Sequence, residues 1–342
     1  MAPLPRGLSR VVVSVAVCTS VATAGCRSAS TDPLGQEGPT VSAPPIVSDS
    51  TPSADPSPVV ATTEPVGSAL TGESVPAETA QSEVRIVPVD GDLAEIVFAL
   101  GFGEQVVATD ISATYPASAD ELPVVGYQRA LSPEPILAFE PTIVLATDLA
   151  GPAETLDDLD RLGVEVVVIE RQSTALGPGD KIRAVADALG VPEKGDELAD
   201  RVDAEIATET ERAANAVGSP RVGALYVRGE SVQLLLGEGG GVDWLIEAAG
   251  GIDIADELGV VDHAPINSES LLVAAPEVLI VPERGLESVG GLDGLLELPG
   301  IAETPAGRSG RILVYDDQFL LGNGPRTGAL LHQLITDLHG DI

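Results

Sequence analysis

The fold of this chain is decided by a stretch that occurs twice, as LSPEPILAFEPTIVLAT at residues 131–147 and as INSESLLVAAPEVLIVP at residues 266–282. The copies are in register, so that Glu134 of the first corresponds to Glu269 of the second. Apolar residues follow the same order in both, and each copy reads as a turn, a short helix with a glutamate at its start, a second turn and a strand. This duplication predicts two related lobes within one chain.

Strands alternate with helices on both sides of a long helical stretch. Residues 84–180 contain predicted strands and helices in turn, with strands at 84–90, 105–110, 142–147 and 164–169 and helices at 91–101, 133–139 and 152–162. Residues 218–342 repeat the alternation, with strands at 221–228, 233–237, 277–282 and 310–317 and helices at 240–251, 268–274, 291–297 and 326–340. The linking region, residues 181–217, has helical periodicity and dense charge, and its last helix over 196–217 would be about 33 Å long.

This order of elements predicts an α/β fold of two Rossmann-like lobes with parallel-type central sheets. We expect one long backbone helix to join the lobes and a ligand cleft to lie between them.

The N-terminus predicts export from the cytoplasm. Arg6 and Arg10 form a positive region before a short apolar run, and this run ends in TAGC at residues 23–26. Small residues directly before a cysteine resemble a bacterial lipobox, which implies that residues 1–25 are a lipoprotein signal peptide and that Cys26 is lipidated. Ordinary secretion with cleavage nearby is the alternative.

Residues 26–83 are rich in Ser, Thr, Pro, Ala and Gly and contain no aromatic residue. Such a segment cannot bury enough apolar surface to offset the entropy of ordering, and it predicts a disordered tether. The two cysteines of the chain are Cys18 and Cys26, so the predicted lobes have no disulfide and no thiol chemistry.

The charge of the chain limits its partners. The chain has 53 Asp and Glu against 18 Lys and Arg, a formal net charge of −35. This charge repels nucleic acid and anionic lipid headgroups, so attachment to a membrane would depend on the lipid anchor. An anionic ligand would need a local group of arginines. We also expect the protein to be a monomer.

Residues 84–340 resemble the helix-hinged, or class III, substrate-binding proteins of ABC importers for vitamin B12, ferric siderophores and haem. The stretch RIVPVDGDLAEIVFALGFGEQVVATD at 85–110 is similar to the opening signature of that family, and LSPEPILAFEPTIVLA at 131–146 to its helix–strand cassette. The haem binders of the family carry Gly-Tyr-x-Arg before this cassette, and GYQR stands at 126–129 here.

The resemblance implies a binding protein rather than an enzyme, held at the extracytoplasmic face of the cell membrane. In this family one exposed glutamate on each lobe docks arginines of the permease dimer, which works with its ATPase, and the matching positions are Glu134 and Glu269. The alternative is that both carboxylates only complement the dipoles of their helices.

Two of the four tyrosines stand in Tyr-x-Arg, as Tyr127 with Arg129 and as Tyr226 with Arg228. On an extended strand, residues i and i+2 lie on the same face, so that a guanidinium beside the phenol would stabilise the phenolate and lower its pKa below about 10. Tyrosine is an axial ligand for haem iron. The sequence therefore predicts haem b, carrying ferric iron, as a transported ligand bound by one or both tyrosines; the alternative is two structural aromatic residues.

Other residues complete the predicted site. His263 lies near the position that the duplication pairs with Tyr127, so it is an alternative iron ligand or a hydrogen-bonded loop histidine. Three arginines are placed near the cleft for the haem propionates, namely Arg129, Arg228 and Arg326. Arg326 could equally be a cap of the final helix.

Competing functions stay open at this point. A receptor for a ferric siderophore or for cobalamin would have the same architecture, and a cell-surface haem carrier without its own transporter is also possible. An α/β enzyme is disfavoured because the chain lacks Gly-x-Ser-x-Gly and the predicted lobes lack cysteine.

Overall fold

The computed structural model describes residues 84–342. The predicted signal peptide at 1–25, the predicted lipidation site Cys26 and the predicted tether at 26–83 lie outside the described residues. Between Val84 and Ile342, every helix is too short or too polar to cross a membrane.

The N-terminal sheet has three parallel strands in the order β1, β2, β3, which are Ile86–Pro88, Ile143–Thr147 and Glu165–Ile169. Four helices accompany these strands: α1 (Gly91–Ala99), α2 (Ala117–Asp120), α3 (Pro133–Leu137) and α4 (Ala153–Arg161). All five residues of β2 are buried, because this central strand is covered on both faces.

The strand predicted at 105–110 is wrong. This segment makes only single bridges, from Val106 to Ile86 and from Thr109 to Val124. Its backbone divides between two partners, since the amide of Val107 donates to the carbonyl of Ile86 and the amide of Thr109 to that of Pro123. A β-rich sequence without one continuous neighbour cannot form a ladder.

Two helices pack against each other between the sheets, α5 (Gly177–Ala188) and α6 (Pro192–Ala213). The long helix has 22 residues, as predicted, but it lies four residues earlier than 196–217. Pro192 occupies the first turn, where its missing N–H group has no intrahelical acceptor to lose. The chain then leaves the helix and turns at Gly218, which has a φ of +86°.

The C-terminal sheet is built around β4, in the order β7, β5, β4, β8, β9, with β6 beside the start of β4. Its strands are β4 (Arg221–Arg228), β5 (Val232–Leu236), β6 (Ile252–Asp253), β7 (His263–Pro265), β8 (Val278–Pro282) and β9 (Ile312–Tyr315). Eight helices complete this part: α7 (Asp243–Ala248), α8 (Ile254–Glu257), α9 (Ser268–Ala274), α10 (Glu283–Ser288), α11 (Gly291–Glu297), α12 (Pro305–Ser309), α13 (Asp317–Leu321) and α14 (Thr327–His339).

The α/β fold class is confirmed, and one feature of the C-terminal sheet differs from the expectation. Strands β4, β6, β8 and β9 are parallel, whereas β5 runs antiparallel to both β4 and β7. Only residues 229–231 connect β4 to β5, and a link this short can join only antiparallel strands.

One continuous core connects the two sheets through the helices between them. It includes Leu145 of β2, Ile182 of α5, Ile206 of α6, Val222 of β4 and Leu334 of α14, all at most 3% exposed. Separate apolar clusters cover the outer face of each sheet. The sheets are therefore fixed to a shared helical layer rather than to a bare linker.

Candidate ligand-binding site

Tyr226 lies near the carboxyl end of the central strand β4 and points toward the junction of the two sheets. Its side chain is half-buried, while its neighbours Leu225 and Val227 point the other way into the outer core. Ligands of open α/β sheets bind outside the carboxyl ends of the strands, and Tyr226 occupies that place.

Arg228 lies on the same face as Tyr226, as the spacing predicts for a strand. Its guanidinium carbon is 4.3 Å from the centroid of the Tyr226 ring, which is a cation–π contact. The same guanidinium donates to the carbonyl of Val227 at 2.8 Å and forms an ion pair with Asp317 of α13. Arg228 therefore stacks on the ring, and its charge is partly balanced by a carboxylate.

For Tyr226 the predicted net lowering of the pKa is wrong, although Arg228 acts in the predicted direction. Burial raises the pKa of Tyr226 above its ordinary value, and the lowering effect of Arg228 does not cancel it. Asp317 also raises this pKa, because its negative charge opposes that of a phenolate. Without ligand, Tyr226 is a neutral phenol at physiological pH.

Tyr127 and Arg129 lie in the connection between α2 and α3. Tyr127 is 41% exposed and follows Gly126, whose φ of +136° requires glycine. A single 3₁₀ turn, Gln128–Ala130, begins directly after Tyr127, so the same-face rule for strands does not apply to this pair. Arg129 is exposed in that turn.

Tyr127 and Tyr226 belong to different lobes but lie within electrostatic range of one another. Tyr127 is near enough to Tyr226 to raise its pKa, and Arg129 is near enough to lower it, although both effects are smaller than those of burial and Arg228. Two Tyr-x-Arg units separated by almost a hundred residues in sequence therefore lie close enough for their charges to interact.

Arg326 lies at the start of α14, and its contacts are with residues other than Tyr127, Arg129, Tyr226 and Arg228. Its Nε and Nη2 donate to the two carboxylate oxygens of Glu95, each at 2.9 Å. Its guanidinium carbon is also 3.7 Å from the ring centroid of Tyr115 and 5.0 Å from that of Phe319. The propionate role stays a prediction, and the structure adds an ion pair between the lobes.

His263 lies in the edge strand β7, 47% exposed in its side chain, with Nδ1 at 2.8 Å from Asp262 Oδ2. The ladder aligns Tyr226 with Leu234 and Leu234 with Pro265, so His263 is two strands and two residues away from Tyr226. Two strand spacings alone amount to about 10 Å. His263 and Tyr226 therefore lie at separate places on the sheet.

The two repeated glutamates occupy corresponding places. Glu134 is in the first turn of α3, Glu269 is in the first turn of α9, and both are exposed. Asn267 caps α9, since its Oδ1 accepts from the amide of Ser270 at 3.0 Å.

A polar junction between the N-terminal and C-terminal lobes was missed from the sequence. The amide of Gln318, in α13, accepts from the backbone N–H groups of Thr114 and Tyr115 at 2.7 and 2.8 Å. It donates to the carbonyl of Gly91 at 2.7 Å and to that of Tyr115 at 3.1 Å. One buried side chain of the C-terminal part thus completes the hydrogen bonds of two N-terminal segments.

Two ion pairs with buried members belong to the same junction. Glu95 pairs with Arg326, and Lys181 of α5 pairs with Asp92 and donates to the carbonyl of Gly322 at 2.8 Å. The sequence carried one signal for them, because Asp92 and Glu95 are acidic residues on the otherwise apolar helix α1. Gln318 had no comparable signal.

Residues 86–319 match the family of periplasmic binding proteins. The vitamin B12-binding protein of Vibrio cholerae serotype O1 is 25% identical over 256 residues, which cover 74% of this chain and 88% of that protein.

Solved structures with higher identity are haem-binding proteins. RhuT from Roseiflexus sp. RS-1, a periplasmic haem-binding protein in its apo form, is 48% identical with a TM-score of 0.73, covering 75% of this chain and 97% of that one. The haem-binding protein HmuT is 36% identical with a TM-score of 0.71, covering 76% and 85%.

Alanine variants of HmuT have also been solved, at a tyrosine, at the arginine two positions after it and at a histidine before it. The tyrosine and arginine have the spacing of Tyr226 and Arg228. The interval from that histidine to that tyrosine equals the interval from Tyr127 to Tyr226.

Proposed function

The chain belongs to the periplasmic binding protein family, and from this premise we propose that it is a haem receptor of an ABC importer. Haem binds between the lobes, with its ferric iron ligated by a tyrosine, and is delivered to a permease for iron uptake. The observation that carries this proposal is the stacking of Arg228 on the ring of Tyr226 near the carboxyl end of β4, with Tyr127 and Arg129 of the other lobe within electrostatic range of that phenol.

The relatives favour haem over the alternatives. The two haem-binding neighbours are 48% and 36% identical, against 25% for the vitamin B12-binding relative. A corrinoid is the second candidate because of that relative, but a corrinoid needs no phenol. The substituted positions in HmuT support a site at Tyr127, Tyr226 and Arg228 through their identical spacing.

Each residue of the proposed site would have its own role. A phenol oxygen on ferric iron loses its proton, because the charge of the ion stabilises the phenolate far more than a neighbouring guanidinium does. Arg129 makes no ion pair with the described residues and is exposed, so it is the guanidinium best placed for a propionate. Arg228 would keep Tyr226 oriented by stacking. Arg326 would hold the two lobes together through its ion pair with Glu95.

Hemin titration of the purified protein tests the proposal. Wild type should develop a Soret band and a tyrosinate-to-iron charge-transfer band. Tyr226→Phe or Tyr127→Phe should remove the charge-transfer band and weaken hemin binding at least tenfold, about 1.4 kcal/mol. Tyr115→Phe is the matched control, since Tyr115 is also exposed but stacks on Arg326.

The outcomes separate the candidates. Unchanged spectra in both Tyr127→Phe and Tyr226→Phe would overturn tyrosine ligation. A protein that leaves hemin unbound but takes up cobalamin would overturn the haem assignment and support the corrinoid receptor.

Delivery and location complete the proposal. The protein would be attached to the extracytoplasmic face of the cell membrane through a lipid on Cys26. Glu134 and Glu269 would contact arginines of the two permease subunits, since two exposed carboxylates in equivalent places suit a two-fold symmetric partner.

A further inference from the structure

A cavity lies near the start of β4, at the end of the C-terminal sheet opposite to Tyr226. It has a volume of about 330 Å³ and is lined by five carboxylates and one indole, those of Glu238, Asp243, Glu247, Asp253, Asp256 and Trp244. Asp253 is paired in β6 with Val222 at the start of β4, whereas Tyr226 is four residues further along that strand. Four residues of strand span about 13 Å, so this cavity is separate from the proposed haem site.

The cavity is strongly negative. The residues that line it include no lysine, arginine or histidine, and within residues 84–342 none of the five carboxylates forms a salt bridge. Asp243 is satisfied by backbone donors, since its carboxylate accepts from the amides of Gly239 and Gly241 at 3.1 and 3.2 Å and from the hydroxyl of Ser173.

Asp253 differs from Asp243, because only one of its two carboxylate oxygens accepts a hydrogen bond. Its side chain is only 4% exposed, and its Oδ1 accepts from the amide of Ala255 at 2.9 Å. Its Oδ2 is buried and has no hydrogen-bond donor in the described part of the chain. Burial, with the charges of Asp243, Asp256 and Glu247, raises the pKa of Asp253 to about 6. A buried carboxylate oxygen without a donor is unfavourable unless a ligand supplies one.

We propose that this cavity binds an organic polycation, such as a linear polyamine, with one ammonium group donating to Asp253 Oδ2. Several positive charges are needed, because a single ammonium would leave most of the five carboxylates uncompensated. The volume has room for roughly ten heavy atoms at about 30 Å³ each. Trp244 is largely buried, at 7% exposure, but its indole lines part of the cavity, and aromatic rings accommodate ammonium groups.

A metal ion fits the cavity less well. Between Val84 and Ile342, no group of three histidine, cysteine, aspartate or glutamate residues is arranged to hold one. The carboxylates surround a space instead of converging on a point, which suits an extended ligand.

Trp244 makes the test specific, since it is the one tryptophan of the chain. Spermidine is titrated into the full-length protein while tryptophan fluorescence is excited at a wavelength that tyrosine does not absorb, and heat is recorded in parallel. The expected result is a saturable change in fluorescence with matching heat. Asp253→Asn should weaken spermidine binding at least tenfold, and it retains the Oδ1 that caps α8.

Asp160→Asn is the matched control, because it removes the same charge from an exposed place on α4. Should Asp253→Asn fold poorly, Glu247→Gln at the exposed rim replaces it, with the same tenfold expectation. Equal weakening by Asp160→Asn would overturn the proposal, because diffuse attraction to an acidic protein would then explain the binding. Saturation by calcium or magnesium without saturation by spermidine would overturn it as well.

Discussion

Tyr226 decides how the proposed ligand binding depends on pH. Its phenol is neutral without ligand, since burial raises its pKa above the ordinary value of about 10. Ligation needs the phenolate, so each binding event must release the phenol proton. We expect hemin affinity to increase with pH by about tenfold per unit between pH 6 and 9, measured by absorbance titration. In Tyr226→Phe this increase should be absent.

Substitution of Asp317 should change hemin affinity in the opposite direction to substitution of Tyr226. Its carboxylate raises the pKa of Tyr226 and also holds Arg228. Asp317→Asn removes the charge while keeping an acceptor oxygen, so it should lower the pKa of Tyr226 and strengthen hemin binding at pH 7 by a few-fold. Weaker binding in this variant would mean that orientation of Arg228 matters more than the charge.

For Tyr226 and Arg228 the sequence predicted the relative position of the side chains but not the pKa of the phenol. The spacing of Tyr226 and Arg228 gave their shared face, because that depends on two residues of one strand. The pKa of the phenol depends on burial and on Asp317, which is 89 residues away from Arg228 in sequence. Neither influence is visible in a local pattern.

At the scale of elements, the polar junction around Gln318 is expected to hold the lobes together. Gln318→Ala would leave the carbonyl of Gly91 and the amides of Thr114 and Tyr115 without their partner. Buried polar groups without partners are unfavourable, and we expect the free energy of unfolding to fall by about 2–4 kcal/mol, measured by urea denaturation. Gln172→Ala is the control because Gln172 is exposed.

Gln318→Glu tests the same junction by adding a negative charge. The new carboxylate would face the Glu95 carboxylate, which is 3.2 Å from the present amide nitrogen, and the carbonyl of Gly91. Repulsion raises the pKa of such a group, so the loss of stability should be greatest at pH 7 and should diminish as the pH falls and the carboxyl gains a proton. A pH-independent loss would contradict this account.

Elements were predictable where their pattern is local. Strand β4 (Arg221–Arg228) and helices α9 (Ser268–Ala274) and α11 (Gly291–Glu297) have the predicted bounds. The segment 105–110 had a strand composition but no continuous partner, and the antiparallel pairing of β5 was not foreseen. Pairing is a property of the folded chain, which composition does not determine.

At the scale of the whole molecule, the shared core limits how the lobes move. The apolar cluster passes from the N-terminal sheet through α5, α6 and α14 into the C-terminal sheet without interruption. Packed interiors resist deformation, so closure should be a small tilt. We expect the radius of gyration from X-ray scattering to change by less than about 1 Å when hemin binds. A change of several ångströms would show that the junction opens in solution.

The duplication that organises the sequence also gives the last prediction, which concerns delivery to the permease. Glu134 and Glu269 are exposed at equivalent places and have no part in the proposed ligand contacts. Glu134→Ala and Glu269→Ala should therefore leave hemin affinity unchanged, while each reduces hemin-dependent ATPase stimulation of the reconstituted transporter at least tenfold and the double variant abolishes it. Glu303→Ala, which removes an exposed glutamate outside the repeat, is the control. If the two single variants and the double variant all stimulate the transporter as strongly as Glu303→Ala does, the repeated carboxylates serve only their helix dipoles, as the simpler interpretation of the sequence has it.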